Sequence, residues 1–107
     1  MKLKINDAEV AWHIIVQYLL AHDGNFQTIT GLKYRAIVHE NCILVDEKNE
    51  LGYPIDKISF FTSFENIIDF PDINISGKEE FVYTKENRMS LYFIGLLNTC
   101  QLLEKDI

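Results

Sequence analysis

Cysteine, basic charge and long apolar runs are all scarce in this chain, and each scarcity removes a class of protein. Two cysteines in 107 residues, Cys42 and Cys100, cannot form a disulfide framework and lack the spacing of a metal or redox pair. They read as small hydrophobes in a reducing compartment. Ten Lys and Arg against sixteen Asp and Glu leave a net charge of −6, which argues against a surface built wholly for phosphate. The acidity is uneven, since residues 59–107 hold eight acids against four bases and so carry −4 of the −6. No stretch reaches the roughly 20 apolar residues needed to span a bilayer. The basic start, Met1 to Asn6, runs straight into a helix that carries an acid, so no signal peptide or lipidation motif is read. A cytoplasmic protein with no membrane contact is expected. The five glycines are scattered, which leaves no phosphate-cradling loop, and no internal repeat or low-complexity tract is present.

What the chain does have is hydrophobic helix. Asn6 to Gly24 carries an N-cap signal at Asn6 with Glu9 three residues on, Ile5 and Val10 at the staple positions, and Gly24 as a C-terminal stop. Apolar residues cover most of its circumference, and only Glu9, His13 and Gln17 make a polar stripe. Such a helix is buried on several sides, either wrapped by its own domain or pressed against another chain. A last helix, about Arg88 to Glu104, has the same character, with Met89, Tyr92, Phe93, Leu96, Cys100 and Leu103 on one face and Leu91, Ile94, Leu97 and Leu102 beyond it. Gly95 inside it costs on the order of 1 kcal/mol against Ala, which makes sense where another backbone passes close, with a merely tolerated glycine as the equal alternative.

Between these helices the period changes to alternation. Asn25 to Thr30 reads as a short strand. Leu32 to His39 reads as the clearest one, with Leu32, Tyr34, Ala36 and Val38 on one face and Lys33, Arg35, Ile37 and His39 on the other. Glu40-Asn41 is a two-residue turn and Cys42 to Asp46 the returning strand. Lys48 to Pro54 reads as a loop, because proline removes a ladder donor. A second helix is expected over Ser59 to Ile68, capped by Ser59, then a connection over Ile73 to Lys78, a short strand over Glu80 to Thr84 and a turn at Lys85 to Asn87. The expectation is a single α+β domain over residues 1–107, an antiparallel three- to four-stranded sheet packed by helices in the order α-β-β-β-α-β-α.

The order of elements is compatible with the PD-(D/E)xK nuclease fold, which gathers carboxylates around a divalent metal beside a lysine. Asp46-Glu47-Lys48 supplies an acid-x-Lys triplet. The partner carboxylate is missing, since the preceding strand offers Lys33, Tyr34 and Arg35, and the Pro71-Asp72 pair comes later in a loop. His13, His22 and His39 have no metal-pair spacing, and no serine or cysteine sits in a nucleophile elbow. No catalytic residue, metal or cofactor is therefore assigned. Lys33 and Arg35, with Lys57 as a third cation, form a basic strand face that offers weak, salt-sensitive nucleic-acid binding as one alternative and a metal-dependent nuclease as the other.

The runs Phe26 to Tyr34, Ile55 to Ile68 and Ser90 to Leu97 resemble small α+β modules of bacteria and their mobile elements. The resemblance rests on strand and helix patterning and transfers no functional residue. Two helices this apolar are hard to bury in so small a domain, so the leading expectation is a non-catalytic protein-binding module, a small bacterial or phage regulator or inhibitor. A homodimer would form through Trp12, Ile15 and Leu19 of the first helix and Leu91, Ile94 and Leu97 of the last.

Overall fold

The computed structural model describes residues 2–29, 31–46, 52–68 and 88–104, with the backbone alone at 2, 66–68 and 88–91. A short strand, β1 (Lys2–Leu3), leads into helix α1 (Ala8–Ala21). The cap lies one residue later than the sequence suggests. Asp7 is extended and accepts from the Val10 amide at 3.1 Å, and its charge also complements the positive end of the helix dipole, which Asn6 would not. Val10, the expected staple partner of Ile5, is exposed instead.

At the other end of α1 the chain reverses on Gly24. Its amide donates to the Leu19 carbonyl at 2.8 Å, its φ is +79°, and its own carbonyl accepts from the Ala36 amide at 2.8 Å. A Cβ at this position would collide with the Ala36 carbonyl oxygen. Gly24 therefore both ends the helix and lets the chain enter the sheet without a gap.

Four strands follow: β2 (Asn25–Gln27), β3 (Lys33–His39), β4 (Cys42–Val45) and β5 (Tyr53–Asp56). They form one antiparallel sheet in chain order. The expected turn joins β3 to β4, with Glu40 at φ +53°, as tight hairpins demand. β5 corrects the loop expected around Pro54. The Lys57 amide donates to the Asn41 carbonyl, and alternation along the ladder then puts Leu44 and Pro54, which are register partners, at a non-hydrogen-bonded site. Proline's missing donor thus faces away from β4, toward an edge that is free among the described residues, where proline is tolerated in a strand and discourages further pairing.

Helix α2 (Lys57–Ile68) follows β5 at once. It starts two residues before the expected Ser59, because Asp56 supplies the cap by accepting from the Ser59 amide at 2.6 Å. Helix α3 (Arg88–Thr99) stops short of the expected Glu104, and the chain then turns into β6 (Leu103–Glu104), paired antiparallel with β1. The α+β class and the four-stranded antiparallel sheet are as expected. The order differs in that a fourth sheet strand precedes α2. The strand expected at Glu80–Thr84, its flanking connection and the turn at Lys85–Asn87 lie outside the described residues.

The three helices pack on one face of the sheet. Neighbouring residues of α3 point into different layers. Tyr92 meets the sheet-side rings of Tyr34 and Tyr53 at centroid distances of 5.1 and 5.5 Å, while Phe93 meets Phe60 of α2 at 5.1 Å, and Phe60 in turn meets Trp12 of α1 at 5.2 Å. Gly95 makes this possible, since a Cβ there would stand 2.9 Å from the Gln27 carbonyl oxygen of β2. Of the two readings of this glycine, the close backbone approach is the one present. Next to it, the Thr99 hydroxyl accepts from the Gln27 amide at 3.2 Å and donates to the Gln27 carbonyl at 3.1 Å, so α3 also closes the outer edge of β2.

Gly24→Ala should cost at least roughly 2–3 kcal/mol in chemical denaturation, combining a left-handed φ with a backbone collision; a loss under half of that would mean the turn can move away. The Ser59 amide holds the Asp56 carboxyl below its ordinary pKa of 3.8. The stabilisation from this cap is therefore full above pH 3.8 and is lost as pH falls through the lower folded value. Asp56→Ala should cost about 1 kcal/mol at neutral pH, and the gap from wild type should close only in acid below that point.

Candidate functional site

The residues expected to form an interface are inside the molecule. Trp12, Ile15, Leu19, Ile94 and Leu97 are each 6% exposed or less and belong to the core of a single chain, while the Leu91 side chain lies outside the described residues. The physical reason is the placement of α3. A helix set between the sheet and two other helices has no solvent side, so its breadth of apolar residues is consumed within the fold. α1 keeps one open side, which holds the polar stripe of Glu9, His13 and Gln17 together with exposed Val10 and Leu20. A partner approaching the described surface does not meet these five residues.

It can meet the opposite face of the sheet. Lys33, Arg35, Ile37 and His39 of β3 are exposed, as the alternation predicts, and register aligns them with the outward residues of neighbouring strands. One cross-strand row is Ile37, Leu44 and Pro54, and the next is His39, Cys42 and Asp56. On the other side of the apolar row, the Asp46 amide donates to the Arg35 carbonyl at 2.8 Å, which places exposed Asp46 beside Arg35. Ile37 is 56% exposed and Leu44 38%. In an antiparallel sheet with one face on the core, the outer face is normally polar, and each of these aliphatic side chains forgoes up to about 1.5–3 kcal/mol of burial by facing water.

The cations of the two alternative readings separate. Arg35 grips Asp23 through Nη2 to the carboxylate and Nε to the carbonyl, both at 3.0 Å. Lys57 is on the far side of the sheet from β2, paired with Glu9 at 2.8 Å and lying over the Phe61 ring. Lys33 and Arg35 do share a face, but Lys57 does not join them. Asp46 of the acid-x-Lys triplet is exposed at the end of β4, and Glu47-Lys48 and Pro71-Asp72 lie outside the described residues. Among the described residues, no three His, Cys, Asp or Glu side chains come together in a metal-binding arrangement.

A cleft of about 580 Å³ runs beside β2, lined by Tyr18, Gln27, Tyr34, Asn98 and Thr99 with Lys33 among its walls. Lys33 is its one ionic group among the described residues, so it holds no acid–base pair. The two cysteines differ. Burial pushes the Cys100 thiol up to about 12, while Cys42 sits on the open sheet face between His39 and Asp56. Sequence alternation could place Ile37 outward, but the row it forms with Leu44 and Pro54 required knowledge of two strand registers.

A thiol reagent at pH 8 should show one faster-reacting group, absent in Cys42→Ser, and a second, half-buried one that reacts more slowly until the protein unfolds, because a thiol with a raised pKa presents little thiolate. Two equally fast thiols would contradict the burial of Cys100. Compared with known proteins, the chain matches no family model, no curated protein and no solved structure.

Proposed function

We propose that this chain is a non-catalytic protein-binding module, a small cytoplasmic regulator or inhibitor that acts by contact through the open face of its sheet. The observation that carries this reading is the in-register row of Ile37, Leu44 and Pro54, aliphatic residues held toward water by strands whose other face is fully used by the core. Polar groups surround the row, with Arg35 and Asp46 on one side and His39 and Asp56 on the other. An apolar centre within a polar rim is the ordinary anatomy of a protein interface. Two features favour the face over the sheet's edges as the contact, since Thr99 closes β2 and Pro54 blunts β5.

Ile37→Lys should leave folding stability within about 0.5 kcal/mol, because the side chain faces solvent, and should weaken partner binding by roughly tenfold or more. Placing a photo-crosslinking residue at Leu44 should give a discrete protein adduct in the producing cell, while the same residue at Gln17 on the polar stripe of α1 should give none. Equal labelling at both positions, or none at Leu44, would sink the reading.

A further inference from the structure

On the strength of that reading, we infer that the partner of the open sheet face is a second copy of this chain, packed face to face about a two-fold axis parallel to β3 and β4 and midway between them. Such an axis carries β3 of one copy over β4 of the other. Residues that are cross-strand neighbours within one chain then meet across the contact. Ile37 falls on the partner's Leu44, and Leu44 on the partner's Ile37, which gives a continuous apolar centre from two residues that are each exposed alone.

The same operation brings Arg35 over the partner's Asp46 and Asp46 over the partner's Arg35, because these two are neighbours in the register. The face is therefore electrostatically complementary to itself, with two symmetric ion pairs flanking the apolar centre. Asp23 does not exhaust Arg35. It engages Nε and Nη2, and a guanidinium has five donors.

Net charge opposes the pairing only weakly at this surface. The outward face sets Lys33 and Arg35 against Asp23, Asp46 and Asp56, while the described part of residues 59–107, the half that carries −4 of the net −6, contributes no strand to this sheet. Sheets packed in this way lie about 10 Å apart with strands near alignment, and an isologous contact of this kind closes at two copies. Four short strands form an interface at the small end of the stable range, so association in the micromolar range is expected.

Sedimentation over a concentration series tests this with charge-exchange variants. Wild type should form a reversible dimer, and Arg35→Asp and Asp46→Arg should each weaken it roughly tenfold or more, since each sets like charges against each other. An equimolar mixture of the two variants should regain the dimer, because every pair across the axis is then of opposite sign. Leu44→Lys, at a site open to water in the single chain, should abolish association while its circular dichroism and thermal melt stay those of wild type, and so serves where loss of the Asp23 contact disturbs Arg35→Asp. A dimer that survives all of these substitutions, or a mixture that fails to recover it, overturns the inference. A wild-type monomer whose Leu44 crosslinker captures a protein of another mass overturns self-association and leaves the binding-module reading standing. A monomer with no adduct overturns both.

Discussion

The burial of α3 on all sides governs this molecule. Six successive residues, Tyr92 to Leu97, lie in the interior, and an α-helix can do this only if something covers every direction around its axis. The sheet covers one side through Tyr34 and Tyr53, and Phe60 of α2, itself braced by Trp12 of α1, covers another. Gly95 lets the helix backbone approach the Gln27 carbonyl, so the third side is closed by β2. A side chain there would push α3 outward and open the layer between it and the sheet.

This arrangement explains why the other face of the sheet is the one left open. All three helices are committed to the same side, where the aromatic and aliphatic residues need them. The edges are managed separately. The Thr99 hydroxyl takes both outward backbone groups of Gln27, and Pro54 withholds a donor from the free side of β5. Among the described residues, a sheet with both edges discouraged and one face covered keeps its other face open, and that face carries Ile37 and Leu44 side by side. The part of Ile37 and Leu44 left exposed adds nothing to the packing of the isolated chain, which is the physical ground for the contact proposed there.

Local signals in the sequence served well where the cause of structure was local. The helix stop at Gly24, the alternation of Lys33 to His39, the Glu40-Asn41 turn and the close approach at Gly95 depend on nearby residues or on backbone conformation, and all are present. Caps were misplaced by one position in α1 and three in α2 because Asn6 and Asp7, or Asp56 and Ser59, are both competent, and the choice follows from where the chain arrives. Pro54 misled for a clearer reason. Proline excludes a strand only if its nitrogen faces a ladder partner, and which way it faces depends on the pairing of β4 with β5. Trp12, Ile15, Leu19, Ile94 and Leu97 were misassigned to an interface because hydrophobic breadth on a helix does not say whose surface will cover it.

From the sequence alone came the α+β class, the principal helices, the hairpin and the outward direction of Ile37, since these follow from periodicity and turn chemistry within a few residues. Tertiary structure alone decided that Trp12, Ile15, Leu19, Ile94 and Leu97 are enclosed by their own chain, and that Ile37, Leu44 and Pro54 stand in one row between Arg35–Asp46 and His39–Asp56. Enclosure and register depend on pairings between segments far apart in the chain, and no local pattern of residues encodes which of several compatible pairings has the lowest free energy.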